Sequence, residues 1–80
     1  MTADEAGGAG VAEVRAEITA NVWQVHVEVG QAVAVGDTIA ILESMKMEIP
    51  VESPAGGTIA EVRVRPDDQV QEGDVIAVIQ

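Results

Sequence analysis

From Trp23 to Val29 the chain alternates. Trp23, Val25, Val27 and Val29 fall on one side of an extended backbone, and Gln24, His26 and Glu28 on the other. A period of two predicts a strand with one buried face. The pattern returns later, with Val62 and Val64 set against Glu61, Arg63 and Arg65. Each stretch leads into a polar segment ending in Gly36-Asp37 or Gly73-Asp74, then into a short apolar run, Thr38 to Leu42 or Val75 to Ile79. Glycine reaches φ > 0 at little steric cost and Asp can bond nearby backbone, so each Gly-Asp predicts a turn between strands. Met47, Ile49 and Val51 alternate with Glu48, Pro50 and Glu52, which predicts another strand.

These elements form one unit written twice. Displacing the chain by 37 positions lays Val14 on Val51, Val25 on Val62, Val27 on Val64 and Val33 on Val70. The same displacement superposes Gly36-Asp37 on Gly73-Asp74 and Ile39-Ala40 on Ile76-Ala77. Neither unit is large enough to bury its own apolar face, so the two are expected to pack together. The expected fold is all-β: a flattened barrel or sandwich of two four-stranded antiparallel sheets with a pseudo-two-fold axis. Short connections are expected to keep neighbours in sequence close in space. Residues 1–10, rich in Ala, Gly and acid, offer nothing to bury and are expected to be a disordered tail before a single domain over 11–80.

Composition narrows the chemistry. With 80 residues and no cysteine, the chain has neither a disulfide framework nor a thiolate metal site. A formal charge of −10 argues against nucleic acid and anionic lipid as partners. No apolar run approaches the roughly 20 residues of a membrane span. The opening MTADEAGG lacks the basic and apolar regions of a signal peptide, so a cytoplasmic location is expected. Asp67, Asp68 and Glu72 lack a calcium-loop spacing and read as a solvated rim, so no metal is expected. His26 reads as a surface residue and Trp23, on the apolar side, as core or partly buried. No nucleophile–base pair and no phosphate loop is visible, so the isolated domain is not expected to be an enzyme.

One stretch is left over. Glu43-Ser44-Met45-Lys46-Met47 holds the only lysine in the chain, and two of its three methionines flank it. In the repeat register Gln80 corresponds to Glu43, so Ser44 to Met47 join the two units, with Met45-Lys46 at the middle of the crossing. Two-residue hairpins favour Asn-Gly because both central residues take φ > 0. Met-Lys is a poor choice there, and a poor local choice at an exposed tip points to function.

At these residues the sequence resembles the biotinyl/lipoyl attachment domains, in particular the biotin carboxyl carrier type, whose hallmark is Met-Lys-Met. The resemblance runs from about Val14 to Gln80. It includes the bend Ser53-Pro54-Ala55-Gly56-Gly57 after the lysine and both Gly-Asp turns. Ser44 stands where the family usually has Ala. The first-half corner, Glu17 to Asn21, lacks the usual Pro and Gly. The spacing from Trp23 to Lys46 leaves no room for the protruding thumb of some bacterial carriers.

The resemblance implies that a biotin protein ligase makes biotinyl-adenylate from ATP and that the Lys46 amine takes the acyl group. A biotin carboxylase would then load carboxyl from bicarbonate onto the biotin. A carboxyltransferase would pass it to an acceptor, often an acyl-CoA. Lys46 is thus the expected attachment residue, with Glu43, Ser44, Met45 and Met47 around it. Because methionine side chains adapt to different surfaces, Met45 and Met47 are expected to serve partner contact. A monomer is expected. Two other readings remain: a lipoyl carrier, which usually has Asp-Lys-Ala at the tip, and an unmodified adaptor domain.

Overall fold

The computed structural model describes residues 11–80, and the expectation for residues 1–10 lies outside them. Eight strands follow in order: β1 (Ala12–Arg15), β2 (Ala20–Val25), β3 (Ala32–Val33), β4 (Thr38–Ser44), β5 (Met47–Glu52), β6 (Gly57–Val62), β7 (Gln69–Val70) and β8 (Val75–Ile79). They form two four-stranded antiparallel sheets, β1-β8-β6-β3 and β5-β4-β2-β7.

The repeat is the architecture. Moving β1 to β4 by 37 residues gives the positions of β5 to β8, and the same shift carries one sheet order onto the other. Registers repeat in detail. Val22 faces Leu42 as Ile59 faces Ile79, and Val25 faces Ala40 as Val62 faces Ala77. A β-bulge leaves Trp23 out of the ladder in one copy and Ala60 in the other. The core is filled from equivalent positions: Val22 and Ile59, Val27 and Val64, Val33 and Val70, Ile39 and Ile76, Leu42 and Ile79.

Chain order does not follow proximity as expected. Consecutive strands alternate between sheets, and β4–β5 is the only consecutive pair hydrogen-bonded to each other among the described residues. Each sheet therefore holds two strands from each copy, and the halves interlock instead of docking as finished units. The cause is the segment between β2 and β4. It is too long for a tight turn, and its short strand β3 crosses to pair with β6 of the other copy.

Two sequence expectations are corrected. Trp23 is 44% exposed, because Val22 takes the inward position and the bulge turns Trp23 outward. Val29 is 65% exposed, because β2 ends at Val25 and Val29-Gly30 forms a turn. The alternation was real but belonged to a strand beginning at Ala20.

The Gly-Asp turns form as expected. Gly36 and Gly73 have φ of 90° and 91°. Asp37 Oδ2 accepts from the Ala34 amide and Asp74 Oδ2 from the Gln71 amide, each at 2.8 Å. The two corners also correspond. Ser53 is buried and exchanges backbone bonds with the Gly36-Asp37 turn, as Ala16 does with Gly73-Asp74. Pro and Gly at one corner are matched by Glu17 and Thr19 at the other, where Ile18 packs on the core.

Candidate functional site

The β4–β5 hairpin has a two-residue tip. Ser44 pairs with Met47, which leaves Met45 and Lys46 as the loop. Their φ values are 53° and 66°, both in the left-handed region that such tight turns require. A non-glycine residue there is disfavoured by roughly 1–2 kcal/mol. The ladder holds them in place: β4 and β5 stay paired from Ser44–Met47 down to Thr38–Glu52. Backbone freedom at the tip is therefore small, although its sequence is locally unsuited to the turn.

The side chains stand in solvent. Met45 is 92% exposed, Met47 is 65% exposed, and Lys46 is exposed between them. Met47 lies on the same side of β5 as Ile49 and Val51 but beyond the end of the core. Among the described residues no carboxylate pairs with Lys46; the ion pairs present are Arg15 with Glu13 and Arg63 with Glu61. Glu43 and Glu48, one row below the tip, face each other across the strands. The five residues singled out from the sequence thus meet at one end of the molecule: Met45 and Lys46 form the tip, Ser44 and Met47 close it, and Glu43 stands behind.

The other candidates lie elsewhere. His26 is exposed, its Nε2 bonded to Gln24 Oε1 at 2.8 Å. Its counterpart Arg63 makes the same reach to Glu61, whose hydrogen bond and charge hold the guanidinium above its usual pKa. Asp68 accepts from the Arg65 amide and Asp67 occupies a turn with φ of 77°, so both serve local backbone geometry. Among the described residues no group of His, Cys, Asp or Glu is placed to hold a metal, and no helix is long and apolar enough to cross a membrane.

What the arrangement can do is present one primary amine, on a rigid support, to an enzyme that approaches from outside. A family model described as "Biotin-requiring enzyme" matches residues 10–79, and the chain belongs to this biotin/lipoyl family. It is 49% identical over 67 residues to the "Biotinylated protein TB7.3 homolog" of Mycobacterium leprae, covering 84% of this chain and 94% of that protein. The structure is similar to part of the crystal structure of the Kluyveromyces lactis urea carboxylase, with TM-score 0.84 and 29% identity over all of this chain. It is also similar to part of a single-chain, multi-domain long-chain acyl-CoA carboxylase, with TM-score 0.80 and 29% identity over 86% of this chain. The chain spans about 7% of each of those two carboxylases. It is a biotin carrier domain, related to the carrier domains of carboxylases, and its cofactor is covalent biotin.

Proposed function

We propose that Lys46 is the residue that carries the biotin, and that the domain over 11–80 moves a carboxyl group between a biotin carboxylase and a carboxyltransferase of the acyl-CoA carboxylase type. The observation that carries this is the placement of the only lysine at the exposed tip of the β4–β5 hairpin, where Met45 and Lys46 are both held in the left-handed region. In this reading the acylating enzyme is a biotin protein ligase, to which the exposed tip leaves the amine accessible. The Lys46 Nζ lone pair attacks the adenylated biotin carboxyl. An amide bond forms, the bond to phosphate breaks, AMP leaves with its electron pair, and the amine's protons go to the ligase or solvent.

Attack requires the neutral amine, and among the described residues no carboxylate pairs with Lys46 to take its proton, so the ligase supplies the base. Bound biotin supplies a ring nitrogen able to take up and release a carboxyl group. The chain's own part is geometric. Ser44 and Met47 close the tip, the β4–β5 ladder fixes it, and Met45 and Met47 offer adaptable contact on either side. Tethering on this tip raises the local concentration of the carried group at each active site. The protein acts as a monomer in the cytoplasm. Lys46→Arg keeps the charge and removes the acylated amine; it should take up no biotin from ligase, biotin and Mg-ATP. Biotin on Lys46→Arg at the wild-type level would refute the assignment.

A further inference from the structure

The two copies of the repeat allow a comparison within one molecule. Their backbones and registers match, so the fold alone asks for equivalent outer faces on the two sheets. The faces differ. On the β1-β8-β6-β3 sheet, Glu13 pairs with Arg15 and Glu61 with Arg63. The equivalent positions on the β5-β4-β2-β7 sheet are Pro50 and Glu52, and Gln24 and His26. The bulge residue is Ala60 on the first sheet and Trp23 on the second. No lysine or arginine lies on the strands of the second sheet; Lys46 stands at its tip, and Arg65 opens the turn whose Asp67 and Asp68 bond to Val22.

On that second face three apolar residues form a row. Ile41 is opposite Pro50 on one side and faces the Trp23–Gln24 bulge on the other. Ile41 points away from the core, since its neighbours Ala40 and Leu42 fill it. Between this row and the tip, Glu43 sits directly opposite Glu48. Like charges so placed destabilise a free sheet. The equivalents on the other sheet are Gln80 and Val11, so the fold does not require the acids.

We propose that the Trp23–Ile41–Pro50 row, rimmed by Glu43 and Glu48, is a lateral docking surface for the biotin protein ligase, which meets it with an apolar patch bordered by basic side chains. This rests on Lys46 as the acylated residue. The ligase is the occupant because it must bring the Lys46 amine itself into its active site, which presses the sheet beside the tip against it. An enzyme that acts on the far end of the biotin arm need not come so close. Charge agrees: Glu43 and Glu48, side by side and in no ion pair among the described residues, attract a basic partner and steer its approach.

The test measures initial rates of biotin incorporation, read by intact mass, against concentration of the unmodified chain with its host's ligase, biotin and Mg-ATP. Trp23→Ala copies the residue that already fills the equivalent bulge, and Pro50→Glu copies Glu13. Each should raise KM about tenfold or more, as loss of an aromatic anchor does, with kcat within about twofold. Ala60→Trp, on the other sheet, should leave KM unchanged. Unfolding curves confirm that each variant is folded before it is compared.

Wild-type KM for folded Trp23→Ala and Pro50→Glu would overturn the docking surface, as would a loss confined to kcat. Lys46→Arg, run alongside, separates the two claims. If it still takes biotin, the attachment reading falls. If only wild-type Lys46 is acylated and KM does not move in the face variants, the docking surface alone falls.

Discussion

Met45 and Lys46 hold a backbone conformation that their side chains resist, and they hold it in water, with no packing to compensate at the tip itself. Asn tolerates the left-handed region better than Met does. Met45→Asn should therefore stabilise the unmodified protein by about 1 kcal/mol, a rise in Tm of roughly 4–8 °C for a domain of this size. The same substitution should lower kcat/KM for biotinylation, because it removes a contact side chain. Thermal unfolding and ligase kinetics on one preparation check both; a gain in stability without a loss in kcat/KM would leave Met45 with no role in recognition. At this scale the sequence was most readable where it broke a rule. Met-Lys in a two-residue turn was conspicuous because propensity argued against it. Trp23 was misplaced for the opposite reason. A bulge changes which way a side chain points without changing which residues are apolar, so alternation alone read the indole as core or partly buried.

Among elements, the repeat supplies its own controls. Gly57 opens β6 with φ of 156°, and a Cβ there would stand 2.4 Å from the Gln80 carbonyl oxygen and 2.8 Å from Ile79 Cγ2. Backbone cannot move aside as a side chain can, so Gly57→Ala should cost about 1–3 kcal/mol, as overpacking does. Its counterpart Ala20 carries a methyl in the equivalent register, but its φ is not positive. Ser53 gives the contrast. Its hydroxyl donates to the Ala55 carbonyl at 2.5 Å, but Ala16 fills the equivalent buried place with no hydroxyl. Ser53→Ala should cost no more than the roughly 1 kcal/mol of one hydrogen bond. Urea unfolding of the two variants should rank Gly57→Ala well below Ser53→Ala; the reverse order would contradict the close approach at β6. The Gly-Asp turns were legible because their chemistry is local. The corner at Glu17 to Asn21 was not, since Ile18 and the core shape it in place of Pro and Gly.

For the molecule as a whole, interlocking has an energetic consequence. Each sheet needs strands from both copies, so neither half can bury Ile39 or Ile76 alone. Separate peptides covering residues 11–46 and 47–80 should each be unstructured by circular dichroism, and strand signal from either alone would argue for independent units. Ile39→Ala and Ile76→Ala, equivalent and fully buried, should each cost about 2–5 kcal/mol, a large share of the stability of a small domain. The internal repeat made the two sheets and their symmetry visible in the sequence. The crossing of strands between sheets was not visible, because β3 and β7 are two residues each and carry almost no pattern.

The central claim is that this rigid, symmetric scaffold exists to hold one amine for biotin. The most direct measurement is intact mass followed by peptide mapping of the protein purified from its own host. The account predicts one biotinyl group, on the peptide containing Lys46. An unmodified Lys46, in a host whose ligase is active on other carriers, or a lipoyl group in its place, would contradict it.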